Sequence, residues 1–269
     1  MACGCGRSPD GCRGWHSLSE EEYKIEYDAF LNEKDGKFRV ENVEHYTDTL
    51  FKFQLRKPKG YDFKAGQFTM INIEDTPKRA YSFTSGPGDE FIEFYSIKVP
   101  DGALTSKLQK IKVGDFVTVS DRATGGLLVE NLNEGSDLWL LATGTGIAPF
   151  ISMLCDDYTY ERFNKIHVVW SVRVKEELDA FNSWLSNIGI DYIPIVTRDD
   201  RWLGHDQRIT TLIKEGIIMK DSTPKDTKVM LCGNMDFNKE VKSLLEERDY
   251  VEGSNRKNGS FVLEKAFVG

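Results

Sequence analysis

The chain changes its hydrophobic period near residue 131, and this change constrains the fold more than any other feature. From there to residue 269, short runs rich in Val, Ile and Leu alternate with segments whose apolar residues recur at helical spacing. Continuous apolar runs are typical of strands buried on both faces, and their alternation with helices indicates βαβ units. The pattern therefore predicts a doubly wound α/β domain with a parallel sheet over residues 131–269.

Residues 37–130 have a strand pattern throughout. Segments such as "KFRVENVEH", "GQFTMINI" and "EFIEFYSIKV" have the length of strands, and Gly, Pro or Asp residues separate them. Closely spaced strands with no long helix between them are typical of a small antiparallel β-barrel. The sequence thus predicts two domains, a barrel followed by an α/β domain.

Residues 1–36 stand apart from both domains as an N-terminal extension. Ser19 precedes three glutamates in "SEEEYKIEYDAFLNEKDG", an arrangement typical of a capped helix start, and Gly36 supplies a stop. Before this helix, four potential metal ligands lie close together: Cys3, Cys5, Cys12 and His16. Three thiolates and an imidazole form a legitimate tetrahedral zinc set, but the spacing departs from the usual C-x2-C pairs. An unstructured tail or a set of exposed thiols explains the same residues, and these interpretations stay open.

The composition excludes several functions. The net charge of −8 argues against a nucleic-acid partner. No apolar run approaches the roughly 18 residues that a membrane span needs, and no secretory signal is visible. The odd count of five cysteines argues against a disulfide framework, so we expect a cytoplasmic protein. The oligomeric state is not defined, and we expect a monomer.

One stretch reverses the acidic balance locally. Residues 51–66, "FKFQLRKPKGYDFKAG", carry five basic side chains against one acidic side chain. A basic face on an acidic protein would dock an acidic partner through its local potential. A solvated hairpin explains the same composition.

A glycine-rich turn lies at the start of the α/β domain. In "LLATGTGIAPF", Gly144 and Gly146 allow a sharp turn and a close approach to a ligand, and Pro149 replaces the third glycine of the usual dinucleotide fingerprint. A plain strand–turn–helix connection is the alternative. The βαβ setting favours dinucleotide binding.

The next strand indicates which dinucleotide would bind. NAD-binding folds carry an acidic residue at the end of the second strand, whereas "KIHVVWSVR" ends in Arg173. Arg198 closes the following strand and Arg208 opens a helix. Guanidinium groups suit a 2′-phosphate, so the sequence favours NADP(H) over NAD(H). Helix capping or plain surface charge is the alternative for these arginines.

The short segment "KRAYSFTSGP" places a cation, an aromatic ring and a hydroxyl on one barrel strand. A barrel beside an NADP-type domain needs a group that accepts hydride, and a flavin fits this need. Arg79 would neutralise its pyrophosphate, Tyr81 would stack on its ring system, and Ser82 would bond its reactive edge.

Five motifs together resemble the bacterial branch of the ferredoxin–NADP reductase family, over roughly residues 37–269. They are "RAYS" (79–82), "FYSIKVPDGALTS" (94–106), "GTGIAPF" (144–150), "CGN" (232–234) and the ending "FVLEKAFVG" (261–269). The N-terminal extension is not part of this resemblance. Plant-type members end in a tyrosine against the flavin, whereas Ala266, Phe267 and Val268 replace it here, so the packing of the FAD adenine is left open.

The resemblance implies a role for each matching position. The positions that match FAD contacts are Arg79, Ala80, Tyr81, Ser82, Tyr95, Ala103, Leu104, Thr105, Thr145, Ala266 and Phe267. The positions that match the NADP side are Gly144, Gly146, Val172, Arg173, Thr197, Arg198, Arg208, Cys232, Gly233 and Asn234. Ser82 and Cys232 would flank the hydride path, and Glu264 is either a proton relay or a solvated carboxylate.

The resemblance also implies an activity. The chain would be an FAD-dependent reductase that exchanges electrons between NADP(H) and ferredoxin or flavodoxin. One alternative is the reductase component of an oxygenase with a separate iron–sulfur partner, because no C-x4-C-x2-C motif occurs here. A second alternative is a non-catalytic flavin sensor of redox state.

Overall fold

Two β-sheets organise the structure, a computed structural model that describes residues 6–8, 12–99 and 101–265. The strands of the first sheet are β1 (Lys37–His45), β2 (Leu50–Arg56), β3 (Phe68–Asn72), β4 (Arg79–Ser82), β5 (Phe91–Ile97) and β6 (Phe116–Val119). The strands of the second are β7 (Asp137–Thr143), β8 (Lys165–Val172), β9 (Asp191–Val196), β10 (Thr227–Gly233) and β11 (Phe261–Lys265). The α-helices are α1 (Glu20–Lys34), α2 (Thr105–Leu108), α3 (Ala148–Leu154), α4 (Asp157–Arg162), α5 (Asn182–Leu185), α6 (Ile209–Lys214) and α7 (Met235–Glu246).

The first sheet is antiparallel and curls into a barrel. Its strand order is β4-β3-β6-β1-β2-β5, so β4 and β5 are the two ends. These ends meet just after β4, where Phe83 bridges to Phe94 and the Thr84 N–H donates to the Glu93 carbonyl at 2.8 Å. Aromatic rings fill the interior, with Phe53 and Phe83 each 5.3 Å from the Phe94 ring. The predicted antiparallel barrel is confirmed.

The second sheet is parallel, with the strand order β11-β10-β7-β8-β9. The order reverses between β7 and β10, so the loops that follow these two strands diverge to opposite faces of the sheet. Ligands of open α/β sheets bind at such a switch point. The predicted doubly wound domain is confirmed.

Alternate residues of β7 explain its continuous apolar run. Leu138, Leu140 and Ala142 belong to the core that contains α3, whereas Trp139 and Leu141 belong to the core that contains α6 and α7. A strand buried on both faces needs apolar side chains at every position. Helix packing on both faces of the sheet therefore accounts for the hydrophobic pattern after residue 131.

The segment "EELDAFNSWLSNI", one of those whose apolar residues recur at helical spacing, is broken into shorter pieces. A 3-10 turn covers Lys175–Leu178, and α5 begins only at Asn182. Between them Phe181 leaves the helical region with φ −138° and packs edge-on against Tyr95 of the barrel, with 5.2 Å between ring centroids. The contact of Phe181 with the barrel therefore overrides the local helical preference.

The N-terminal extension packs its own small aromatic cluster and rests on the barrel. Ser19 caps α1 with a complete capping box to Glu22, as predicted. The buried Trp15 ring makes edge-on contacts of 5.7–6.2 Å with the rings of Tyr23, Tyr27 and Phe30. No helix in the described part of the chain combines the length and apolar character that a membrane crossing requires.

Candidate functional site

The glycine loop after β7 lies at the switch point of the parallel sheet. Gly144 has φ 53°, a left-handed conformation that favours glycine, and no atom lies within 4 Å of where its Cβ would stand. A Cβ on Gly146 would lie 2.2 Å from the Cys232 carbonyl oxygen. The loop therefore needs one glycine for its turn and the other for its approach to β10, and an open space remains above Gly144.

Neighbouring side chains hold this loop in place. The Trp170 indole N–H donates to the Gly144 carbonyl at 2.9 Å. At the end of β10, Gly233 lies so close to Thr143 that a Cβ would stand 2.3 Å from the threonine hydroxyl. Asn234 accepts the Phe237 N–H at 2.9 Å and caps α7. Asn234 thus has a structural role as the cap of α7, whatever its contacts with a ligand. Thr145, within the glycine loop, is partly exposed.

The ends of β8 and β9 bring together four of the predicted NADP-side residues. The Thr197 amide and hydroxyl both donate to the Val172 carbonyl, at 3.0 and 3.1 Å. One residue further, the Arg198 N–H donates to the Arg173 carbonyl at 2.8 Å. The two arginines therefore leave the sheet side by side at its carboxyl edge.

The arginines at this edge differ in whether an acidic side chain pairs with them. Arg173, Arg198 and Arg208 are exposed, and their guanidinium groups have no hydrogen-bond or ion-pair partner among the described residues. Arg201, which the sequence analysis overlooked, donates at 2.8–2.9 Å to Asp199 and at 2.8 Å to Glu176. The same bonds hold the pKa of Asp199 well below its ordinary value. Three positive groups therefore remain available to an anion, and the fourth is neutralised.

On the barrel, β4 presents the predicted flavin motif. Arg79 is exposed, and among the described residues its guanidinium donates only to the adjacent Lys78 carbonyl, at 3.1 Å. The Tyr81 hydroxyl lies 3.2 Å from the Ser96 hydroxyl, and burial raises the pKa of Tyr81. The Ser82 hydroxyl has no hydrogen-bond partner among the described residues. The strand therefore offers a free cation and a free hydroxyl; Ala80, between them, is partly buried.

Tyr95 lies apart from this group. Its ring is 4% exposed and packs in the core of the α/β domain, and its hydroxyl donates to the Glu177 carbonyl at 3.3 Å. The structure therefore directs this side chain toward the second sheet, and its contact with FAD stays a prediction.

The turn before α2 contains the other predicted flavin residues. The Thr105 hydroxyl accepts the Val99 N–H at 3.1 Å, and a Cβ on Gly102 would stand 2.3 Å from the same oxygen. Leu104 is buried, whereas Ala103 is exposed. The turn is thus held closed by its own threonine, with Ala103 at the surface.

A series of neighbouring residues connects the three candidate catalytic residues across the two domains, and their shared role stays a prediction. Cys232 and Glu264 are register partners in β10 and β11. The Glu264 Oε2 atom is 3.3 Å from where a Cβ on Gly125 would stand, and the Phe68 ring is 3.2 Å from the same point. Phe68 is in turn the register partner of Ser82 in β4. Glu264 of the parallel sheet and Phe68 of the barrel therefore meet beside Gly125.

Burial changes the protonation of two neighbouring side chains, the Cys232 thiol of β10 and the Glu264 carboxyl of β11. It raises the pKa of Glu264 to about 7, and it raises the pKa of the Cys232 thiol, with the nearby Glu264 charge adding to the effect. Asn238, which no sequence motif singled out, donates its side-chain amide to the Glu264 carbonyl at 2.8 Å and to the Gly233 carbonyl at 3.3 Å. Its polar character on the buried face of an amphipathic helix was the available signal.

The zinc hypothesis gains no support from the described residues. Cys12 Sγ lies 3.9 Å from His16 Nδ1, whereas Cys3 and Cys5 lie outside the described residues. Within the described part, no group of three His, Cys, Asp or Glu side chains could hold a metal ion. Ala266 and Phe267, which the resemblance places on the flavin, also lie outside the described residues.

The basic stretch at residues 51–66 is largely neutralised by its neighbours. Its ion pairs are Lys52 with Glu93, Arg56 with Glu26 and Glu41, and Lys64 with Glu130. Lys57 donates to the carbonyls of Pro87 and Asp89. Lys59 alone of the five has no partner among the described residues, which favours the hairpin interpretation over a basic docking face.

Comparison with known proteins places this site in context. Residues 140–243 match the oxidoreductase NAD-binding domain model. The chain is 39% identical to a flavodoxin/ferredoxin–NADP reductase of Rhodobacter capsulatus, over 86% of this chain and 92% of that protein. It is equally identical to ferredoxin–NADP reductase A of Sorangium cellulosum, over 86% and 89%. A crystal structure of a ferredoxin NADP+ reductase from Neisseria gonorrhoeae, with bound FAD and NADP, superposes with a TM-score of 0.81 at 32% identity, over 86% of this chain and 98% of that one.

Proposed function

Because this chain belongs to the flavodoxin/ferredoxin–NADP reductase family, we propose that it transfers electrons between NADP(H) and a ferredoxin or flavodoxin by way of bound FAD. One observation carries the proposal. Three exposed arginines, Arg79 on β4 and Arg173 and Arg198 at the carboxyl edge of the parallel sheet, have no acidic partner among the described residues and are available to the phosphates of two dinucleotides.

The residues present fit an FAD molecule on the barrel side. Arg79 has a guanidinium free to meet a pyrophosphate, and Ser82 has a free hydroxyl. Tyr81 has its hydroxyl held by Ser96, which leaves a fixed ring to stack on. We assign these residues, with the turn over residues 103–105, to flavin binding.

The residues present also fit NADP(H) on the sheet side. Arg173 follows the second strand, where an NAD-binding fold would carry an acidic residue, while Arg198 follows the third strand and Arg208 precedes α6. Guanidinium groups give paired hydrogen bonds to phosphate oxygens. The open space above Gly144 leaves room for a ligand at the switch point. We assign Arg173, Arg198 and Arg208 to the 2′-phosphate.

When bound, the flavin supplies both hydride exchange with a nicotinamide and one-electron exchange with a carrier protein. The chain itself supplies orientation and protection from water. We assign Ser82 and Cys232 to the two sides of the hydride path, and burial keeps the Cys232 thiol neutral. Burial disfavours the charged form of Glu264 and raises its pKa to about 7, so this carboxyl can both hold and release a proton near neutral pH. We assign to Glu264 the exchange of this proton during the reaction.

We place this activity in the cytoplasm, with a small soluble electron carrier as the partner. The cysteine content and the relatives' printed names support this placement. A reductase that serves a separate oxygenase would use the same FAD and NADP(H) sites. A flavin sensor would bind the same two ligands without turnover.

Turnover measurements distinguish these functions. Purified protein should carry FAD and oxidise NADPH with ferricyanide, and it should then reduce a ferredoxin or flavodoxin from the same cell. Flavin binding without NADPH oxidation would favour the sensor. Protein that takes up no FAD when it is offered would refute the proposal.

Arg208→Ala tests the assignment of the 2′-phosphate site. A hydrogen-bonded charge contributes about 1.5–3 kcal/mol, so the KM for NADPH should rise about 10- to 100-fold while the KM for NADH hardly changes. Lys214→Ala is a matched control, because it removes one exposed positive charge from the far end of the same helix α6. Equal losses for NADPH and NADH would place the phosphate contact elsewhere.

A further inference from the structure

Tyr95 links the barrel to the α/β domain instead of facing the flavin strand. It lies in β5 between Phe94, which fills the barrel, and Ser96, which bonds the Tyr81 hydroxyl. Its own side chain points the other way, since its ring is 4% exposed within the α/β core. Strand β5 therefore contacts Tyr81 of β4 through Ser96 and the α/β domain through Tyr95.

The hydroxyl of Tyr95 reaches the turn that follows Arg173. It donates to the backbone carbonyl of Glu177 at 3.3 Å. Burial raises the pKa of this phenol, so it stays a donor throughout the physiological range. The turn over residues 175–178 is thereby tied to the barrel at one defined point.

Glu177 continues the link with its side chain. Its Oε2 atom accepts the backbone N–H of Arg173 at 3.0 Å, and the Arg173 carbonyl accepts the Arg198 N–H at 2.8 Å. The main chain of Arg173 is thus held on both sides, while its guanidinium has no partner among the described residues. The position from which this guanidinium reaches a ligand depends on Glu177.

A second contact runs from Tyr95 to the glycine loop. Phe181 packs edge-on against Tyr95, and the Trp170 and Phe181 ring centroids are 6.0 Å apart. Trp170 donates its indole N–H to the Gly144 carbonyl at 2.9 Å. Tyr95 therefore contacts the supports of both ligand-facing loops of the α/β domain.

We propose that Tyr95 and Glu177 are positioning residues that set Arg173 for the 2′-phosphate, so that the barrel contributes to the choice of NADP(H) over NAD(H). This inference rests on the proposed function, because it concerns the nicotinamide cofactor of that reaction. It differs from a flavin contact in its prediction: loss of the Tyr95 hydroxyl should change cofactor preference without changing the flavin.

Tyr95→Phe keeps the ring and removes the one hydrogen bond to Glu177. The NADPH-to-NADH ratio of kcat/KM should fall about three- to tenfold, mainly through the KM for NADPH, as expected for one hydrogen bond. Calorimetry with adenosine 2′,5′-bisphosphate should show a similar loss of affinity. Glu177→Ala should lower the same ratio, and the double variant should lose less than the product of the two single losses, because both act through one contact.

Tyr192→Phe is the matched control, since its hydroxyl is buried without a hydrogen-bond partner among the described residues and its side chain packs against the same core. This control should leave the ratio unchanged. An unchanged ratio in Tyr95→Phe, equal losses with NADPH and NADH, or a shifted flavin spectrum would overturn the proposal. Wild-type protein that oxidises no NADPH would refute the proposed function instead, and the calorimetric measurement would still test the link.

Discussion

Burial decides the protonation of Glu264. Its carboxyl lies close to Gly125 and the Phe68 ring, and burial raises its pKa to about 7 from the ordinary 4.5. The folded protein therefore binds more protons than the unfolded chain between these two values. By linkage, the contribution of Glu264 to the free energy of unfolding is complete below about pH 4.5. It is lost as the pH rises through about 7 and the buried carboxyl has to ionise.

Glu264→Gln should remove this dependence on pH. Between pH 5 and pH 8, flavin-free wild-type protein should lose on the order of 2 kcal/mol of unfolding free energy from this group, and the variant should lose correspondingly less. Urea unfolding at several pH values measures the difference. Glu240→Gln changes an exposed carboxylate on α7 and is the control. Parallel pH profiles for wild type and Glu264→Gln would mean that the carboxyl is solvated.

At the scale of elements, the connection from β7 to α3 is built around a close contact with β10. The backbone of Gly146 meets the Cys232 carbonyl, and Gly144 turns the chain with a positive φ. The motif therefore has a packing requirement in addition to any phosphate contact. This requirement explains why a glycine is needed at a position where φ itself is unremarkable.

Gly146→Ala should destabilise the protein by about 2–3 kcal/mol, because its Cβ would overlap the backbone of β10 and force the strand or the loop to shift. The NADPH turnover should fall as well. Gly88→Ala is the control, since no atom lies within 4 Å of its would-be Cβ. A Gly146→Ala protein with wild-type unfolding in urea would contradict the close contact.

At the scale of the whole molecule, the N-terminal extension is joined to the barrel but has its own small core. The Arg56 guanidinium contacts Glu26 of α1 at 2.5 Å and Glu41 of β1 at 2.9 Å. The Trp15 cluster lies within the extension itself. We infer that the extension can unfold while the reductase body persists.

Trp15→Ala tests this separation. Removing a buried tryptophan costs about 3–5 kcal/mol, so amide hydrogen exchange in α1 should accelerate at least about 100-fold while the barrel strands keep their protection. NADPH turnover should remain. Trp15→Phe keeps an aromatic ring and should show a smaller effect. Loss of protection throughout the barrel would show that the extension is an integral part of the domain.

Several features could be predicted from sequence because they depend on neighbours along the chain. The strand period before residue 131 and the βαβ period after it indicated both sheets, and Ser19 with Glu22 indicated the start of α1. The broken helix near Phe181 could not be predicted, because its cause is a ring on the barrel.

The residues of the candidate site could likewise be predicted only in part. By itself, the sequence determined which chemical groups stand at the strand ends: the glycines of the loop, the arginines after β8 and β9, and the polar residues of β4. Only the tertiary structure decided which of them are free to act. Arg201 pairs with Glu176, 25 residues away, while Arg208 has no partner among the described residues, Tyr95 faces the α/β domain, and Glu264 is partly buried. Pairing and burial depend on residues that are distant in the chain, and local pattern carries no information about their positions.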